Sequence, residues 1–247
     1  MRLSIVIPVL NSHEAVRRQL LHFSHMDTMD DVELILVDDG SDPPLQGDLD
    51  TMELRIIETG DTRAWTSALA RNAGARVAEG ELLLMTDIDH IIMEDIIDIA
   101  RNRFDGHKMN FRREFGVLDE DGRFTQDRGV LETYGLPLDT PLHVGTLYNN
   151  FVMSRKLFWK IGGYSKELVE KPYPQAVDAE FRSRWHEHQM ATGASICSTI
   201  PTLYLFPSGQ FCGDVDHNPF GLFHNLSRKT EHNPVWKRQQ RLERARQ

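Results

Sequence analysis

The sequence predicts an α/β fold, a mostly parallel, doubly wound sheet with helices on both faces. Two observations predict it. Short apolar, β-branched runs alternate with helical stripes from Leu3 to Phe104, the pattern of a parallel sheet. One run, Leu82-Leu83-Leu84-Met85, is too short for a helix and leads directly into Thr86-Asp87-Ile88-Asp89. Carboxylates at the carboxyl end of a buried strand lie where open α/β sheets bind ligands.

Taken in order, Leu3 to Val9 reads as a buried strand that Pro8 ends, since proline cannot donate to a ladder. Asn11 or Ser12 can cap a helix with Glu14 in its first turn and Ala15, Val16, Gln19, Leu20 and Phe23 on its apolar side. Val32 to Val37 is a second strand, ending in the turn formers Asp38-Asp39-Gly40-Ser41-Asp42-Pro43-Pro44. Leu54 to Glu58 is a weaker third strand. Thr62 to Ala78 reads as a helix whose small residues, Gly74 among them, allow close packing on a sheet. Leu82 to Met85 is the fourth strand, and Ile91 to Phe104 is helical. From Gly106 to Thr146 the periodicity breaks down, and that stretch reads as a hairpin or a mobile loop over the acceptor side. Asn150 to Trp159, a helix over Ala179–His188, a strand over Ile200–Phe206 and a polar helix over Trp236–Arg246 follow.

The bulk numbers narrow the function classes. With 247 residues, 40% hydrophobic and 26% charged, the chain has room for one sizeable core. A net charge of −9 argues against general nucleic-acid binding. The basic stretch Arg228–Gln247, seven Lys/Arg against two acids, reads as a solvated helix or tail, with peripheral contact to an anionic membrane as the alternative. No run of 18 apolar residues predicts a transmembrane helix, and the N-terminus lacks the pattern of a secretory signal. Cys197 and Cys212 form no Cys-x-x-Cys, so free thiols in the cytoplasm are expected.

Asp87 and Asp89, spaced i, i+2, point to one side if the strand continues. Hard oxygen ligands suit Mg²⁺ or Mn²⁺, which complete their shells with water and phosphate. A solvated turn is the bland alternative. Neither a Gly-x-Gly-x-x-Gly after a strand nor a Walker-type loop is present, which argues against a dehydrogenase or a P-loop enzyme. No His-Glu-x-x-His occurs, and most of the 11 histidines read as surface residues.

At this point the sequence resembles an inverting family 2 glycosyltransferase of the GT-A fold. The resemblance rests on five blocks in order. They are Ser4–Asn11, Leu36-Val37-Asp38-Asp39-Gly40-Ser41, Ala70-Arg71-Asn72-Ala73-Gly74 with Thr86-Asp87-Ile88-Asp89, Phe158–Tyr164 with its Gly162-Gly163 pair, and Val177-Asp178-Ala179-Glu180-Phe181-Arg182-Ser183-Arg184. It implies one domain over residues 1–227, a nucleotide-sugar half over about 1–105 and an acceptor half over about 106–227, with 228–247 as the basic tail.

It also implies a donor and an acceptor: a nucleotide-diphosphate sugar, most simply a UDP-sugar, and a carbohydrate or other hydroxyl. Asp89 is then the direct contact to Mn²⁺ or Mg²⁺. Asp87 stands nearer the ribose hydroxyls or reaches the metal through water. Asp39 accepts from a uracil N–H while Asp38 supports its turn, and Pro8 and Val9 line the same pocket. Arg71 pairs with phosphate or holds Asp87. Asp178 is the catalytic base, with Glu180 as runner-up and a helix N-cap as the structural alternative. Trp159, Gly163 and Tyr164 lie on the acceptor side.

Three departures from the family pattern stand out. Val177 replaces a common Glu, Leu10 replaces a common aromatic, and no His follows the base at the usual spacing. His217 is the candidate third metal ligand, with His224 beyond it. A sugar-phosphate nucleotidyltransferase and a non-catalytic carbohydrate-binding relative are the competing classes. The first wants a Gly-rich, basic loop where this chain has Pro8-Val9-Leu10-Asn11.

Overall fold

The computed structural model describes residues 1–61, 66–146, 148–169, 177–208 and 218–222. His217, His224, Cys212 and the tail over 228–247 lie outside the described residues. A six-stranded sheet organises the fold. Its strands are β1 (Leu3–Val9), β2 (Val32–Asp38), β3 (Glu53–Glu58), β4 (Leu82–Met85), β6 (Lys108–Asn110) and β11 (Phe151–Ser154), in the order β3-β2-β1-β4-β11-β6. The first four are parallel, whereas β11 runs antiparallel to both β4 and β6.

Side-chain alternation along these strands divides the core in two. On one face Leu3, Ile5, Ile7, Leu34, Leu36, Leu82 and Leu84 pack against α1 (His13–Ser24) and α3 (Glu94–Asn102). On the other, Val6, Ile35, Val37, Leu83 and Met85 pack against α2 (Ser67–Val77), α5 (Arg155–Lys160) and α7 (Val177–Thr192). The sheet is buried on both faces, which is why its strands read as continuous apolar runs. Gly74 brings α2 close. A Cβ there would stand 2.4 Å from Val6 Cγ1 and 2.9 Å from Val37 Cγ2.

Three expectations change. Pro8 does not end β1, which continues through Val9 and pairs Pro8 with Val37. Val9 accepts from Asp39 N–H on the β2 side and Val6 accepts from Thr86 N–H on the β4 side, so Pro8 faces the side that β4 has already left. Its missing N–H therefore has no ladder partner to lose. Ile91, the expected start of a helix, lies instead in a short strand, β5 (His90–Ile91), and the helix begins at Glu94.

The third change concerns Gly106–Thr146, which is built rather than loop-like. It holds β6, β7 (Arg112–Phe115), β8 (Val117–Leu118), β9 (Phe124–Thr125), α4 (Arg128–Thr133) and β10 (His143–Val144). β7 and β10 join β5 and β12 (Thr202–Leu205) in a second sheet, ordered β10-β7-β12-β5. Arg18 of α1, itself buried, donates to Leu118 O at 2.7 Å, and His22 bonds Gly122 O at 3.2 Å, pinning this segment to the first half. Strands of two to four residues are too short to show a period.

Candidate active site

Strands β1, β2 and β4 are parallel and end on one edge, so the segments that follow them meet there. At the end of β2, Asp38 turns inward. Its carboxylate accepts backbone N–H groups of Gly40, Ser41 and Leu45 at 3.2, 2.7 and 2.9 Å, which is an acidic turn support. Asp39 is also buried and accepts the hydroxyls of Thr59 at 3.0 Å and Thr66 at 2.6 Å. These bonds orient the carboxylate just past the carboxyl end of β2. Pro8 and Val9 are buried at the end of the neighbouring strand.

After β4, the Asp87–His90 turn is held at every backbone carbonyl. His90 N–H donates to Asp87 O, Gln19 Nε2 to Ile88 O and His90 O, and Phe206 N–H to Asp89 O. The side chains of Asp87, Asp89 and His90 bring one ligand atom each to within 4.8 Å of one another. Both carboxylates are partly exposed, while His90 is fully buried.

Arg71, buried on α2, makes a short ion pair with Asp87 and lies over the Tyr164 ring at 5.6 Å. Arg71 thus holds Asp87, one of the two roles open to it. Burial raises the Asp87 pKa against the pull of Arg71, and the charge of Asp89 pushes the same way.

Asp178 comes from α7. That helix already includes Val177, so Asp178 lies in its first turn and not at the cap. Asn149 Nδ2 donates to its Oδ2 at 2.7 Å. The charges of Asp87, Asp178 and Asp89 all act on Arg71, and those of Asp89 and Asp87 act on the buried Arg113. Among the described residues, three carboxylates thus share two guanidinium groups. The balance is negative and the donors are hard oxygens, a set that fits Mg²⁺ or Mn²⁺.

Glu180 is placed differently. Both of its oxygens accept from Arg184, whose Nη1 donates to Ile161 O and whose Nη2 donates to Gly163 O as well as to Glu180. Glu180 therefore clamps the Gly162-Gly163 turn. Gly163 has φ 58°, and a Cβ there would stand 2.8 Å from Asn72 Oδ1. Asn72 closes the turn from α2, accepting from Tyr164 N–H at 2.9 Å and donating to Tyr164 O at 2.8 Å.

Tyr164 is 1% exposed and stacked on Phe181 at 4.7 Å. Its ring is core and presents no face to a sugar. Trp159 is half-buried, with Arg76 over its ring. Sequence reasoning missed His90, Arg113, Asn149 and Asn150. A His immediately after the second Asp and directly before the apolar pair Ile91-Ile92 was the available signal for the first.

A parallel sheet with acidic segments gathered at its carboxyl edge, extended by an antiparallel strand and a smaller second sheet, is the GT-A arrangement. A family model described as glycosyl transferase family 2 matches residues 4–162, more than half of the chain. The chain belongs to that family.

Solved structures share the fold at low identity. TarS from S. aureus is 18% identical with a TM-score of 0.52, covering 85% of this chain and 38% of its own. TarS residues 1–349 in complex with UDP-GlcNAc give 17%, 0.51, 84% and 59%. The mannosyltransferase PcManGT from Pyrobaculum calidifontis, in complex with GDP-Man and Mn²⁺, gives 16%, 0.50, 82% and 56%. The chain thus spans less than two thirds of each. No curated protein matches it significantly in sequence. Among the described residues, no helix is long and apolar enough to cross a membrane.

Proposed function

We propose that this protein is a metal-dependent, inverting glycosyltransferase that moves a sugar from a nucleotide-diphosphate donor, a UDP-sugar, to an acceptor hydroxyl. The observation that carries the reading is the clustering of Asp87 with Asp89 at the carboxyl edge of the sheet, where Arg71 holds Asp87. Family membership supports transfer from a nucleotide sugar. Two structural neighbours, one solved with UDP-GlcNAc and one with GDP-Man and Mn²⁺, agree with it.

Each residue has a role that its chemistry supports. Asp39 accepts from the base N–H, with Pro8 and Val9 walling the base. Asp89 holds Mn²⁺ or Mg²⁺, with Asp87 beside it toward the ribose, kept in place by Arg71. When bound, the cation neutralises the leaving diphosphate as a Lewis acid. Asp178 removes the acceptor proton late, as the hydroxyl bonds to the anomeric carbon from the face opposite the departing nucleotide, which inverts the centre. Asn149 holds Asp178 in the orientation this requires. Gly163, with the half-buried Trp159, shapes the acceptor side, and His217 remains the candidate third ligand. The buried, free Cys197 is consistent with a reducing compartment, and the cytoplasm is the proposed location.

The test is a thermal-shift panel of nucleoside diphosphates with and without Mn²⁺, followed by donor-hydrolysis assays. UDP should give the largest metal-dependent shift. A larger shift with GDP would replace the donor assignment, and hydrolysis of no donor under any metal would sink the activity.

A further inference from the structure

Two cations, Lys108 and Arg182, stand beside Asp178. Lys108 belongs to β6, which runs parallel to β4 and so ends on the same carboxyl edge of the sheet. It is 4% exposed, yet among the described residues no carboxylate or hydrogen-bond acceptor partners its ammonium. Its backbone pairs in register with Met153, but Nζ lies 5.1 Å from the ring centre of Phe151, two residues nearer that edge. It also lies 5.7 Å from the ring of Trp185 on α7. The side chain therefore climbs between β11 and α7 toward the edge where Asp178 stands.

Arg182 continues the same cleft. It follows Asp178 by four residues, one helical turn or about 6 Å along the axis, and precedes Trp185 by three, so the three share one flank of α7. Its guanidinium lies over the exposed Tyr148 ring at 4.0 Å, and its charge acts on Lys108. Tyr148 directly precedes Asn149, the residue that bonds Asp178. Among the described residues no acceptor meets the Arg182 guanidinium.

Burying an unpaired charge is costly, and two aromatic faces offset only part of that. Methionine would fill the same space without the charge. Burial lowers the Lys108 pKa to about 8, so at pH 7 the group still carries its charge. A guanidinium laid on an aromatic ring presents parallel N–H groups in a fixed plane, and an ammonium adds a point charge from another direction. Donors that converge in this way suit the several oxygens of a phosphate.

We propose that Lys108, Arg182 and Tyr148 form an anion subsite that holds a phosphate ester carried by the acceptor, about one helical turn from the hydroxyl that Asp178 deprotonates. The inference rests on the reading of Asp178 as the base. It names the acceptor class: a phosphate-bearing sugar or polyol, presented in solution or as a lipid headgroup. Tyr148 fixes the guanidinium plane, and Lys108 supplies the second charge.

The test uses the full chain in EDTA without nucleotide, titrated with glycerol 1-phosphate and with glycerol. The readout is the indole ¹H–¹⁵N signal of Trp185, assigned by its loss in Trp185→Phe. Glycerol 1-phosphate should move the signal to saturation and glycerol should not. Arg182→Gln and Lys108→Met should each weaken the binding by about 10-fold or more, the usual effect of losing a hydrogen bond to a charged group. Co-sedimentation with phosphatidylglycerol but not phosphatidylcholine vesicles, lost in Arg182→Gln, would assign the lipid source. A response to the soluble ester alone would assign a free acceptor. An unmoved Trp185 signal without Arg182-dependent vesicle binding overturns the subsite, as does anion binding that both variants retain. Because Arg182 is exposed, Arg182→Gln decides even where Lys108→Met does not fold. UDP affinity in Mg²⁺, measured on the same proteins, separates the two levels. Normal UDP binding with no phosphate response removes the subsite alone, whereas wild type that binds no UDP with metal removes the glycosyl-transfer reading beneath it.

Discussion

Asp178→Asn separates a catalytic base from a structural aspartate. The wild-type carboxylate accepts one hydrogen bond, from Asn149 Nδ2 at 2.7 Å, and sits in the first turn of α7. The amide keeps an oxygen that can face Asn149, so that bond survives. What is lost is a negative charge at a helix N-terminus, about 0.3–1 kcal/mol. Relief of repulsion with Asp87 offsets part of it, since the charge of Asp178 acts on Asp87 as well. A net change within about 1 kcal/mol moves Tm by roughly 2–4 °C in a chain of this size. Turnover should fall by about 10²- to 10⁴-fold if the carboxylate takes the acceptor proton. The assay pairs sugar transfer with UDP affinity in Mn²⁺, and UDP affinity should hold. Near-normal turnover in a folded variant would refute the base role. It would not pass to Glu180, which both Arg184 contacts commit to the Gly162-Gly163 turn.

Three further outcomes follow from packing and charge. Gly74→Ala sets a Cβ 2.4 Å from Val6 Cγ1. Overpacking of about 3 kcal/mol against about 1 kcal/mol of regained helix propensity should leave a net loss near 2 kcal/mol, and an unchanged melt would contradict the close α2 packing. Asn72→Ala releases two hydrogen bonds on the Gly-Gly-Tyr turn and should cost about 2 kcal/mol, read by denaturant unfolding; a loss under about 0.5 kcal/mol would show that Arg184 alone holds the turn.

Lys108 is buried over the Phe151 and Trp185 rings, and burial lowers its pKa to about 8. The unfolded chain therefore binds more protons between about pH 8 and 10.5, and stability contributed by this group rises with pH across that window, by at most about 3 kcal/mol. Wild type should gain stability relative to Lys108→Met as pH rises from 8 to 10, and a constant difference would refute the assignment.

The strands that carry the site were legible because each is a continuous apolar run buried on both faces. β4 keeps its expected bounds, Leu82–Met85, and the Asp-x-Asp follows it directly. Gly74 was legible for the same reason, as a small residue in a stripe that must approach a sheet. The segment from Gly106 to Thr146 was not, since its strands are stabilised by pairing with partners far along the chain, β7 with β12 and β6 with β11. His90 was hidden by the same remoteness. Asn150 and Arg113 stand 60 and 23 residues away, and no local pattern announces them. Tyr164 illustrates the converse case. Its place after two glycines was legible, but the direction of its ring depends on Phe181 and Arg71 and could be known only from the packing.

The central claim is that these carboxylates bind a nucleoside diphosphate through a divalent cation. Melting the protein with UDP, in EDTA and in Mn²⁺, tests it most directly. UDP at about 100 times its Kd in Mn²⁺ should add about 2.7 kcal/mol, a rise of roughly 5–10 °C. In EDTA the shift should be small, and Asp89→Ala should lose the metal-dependent part. Equal shifts in EDTA and Mn²⁺ would contradict the account.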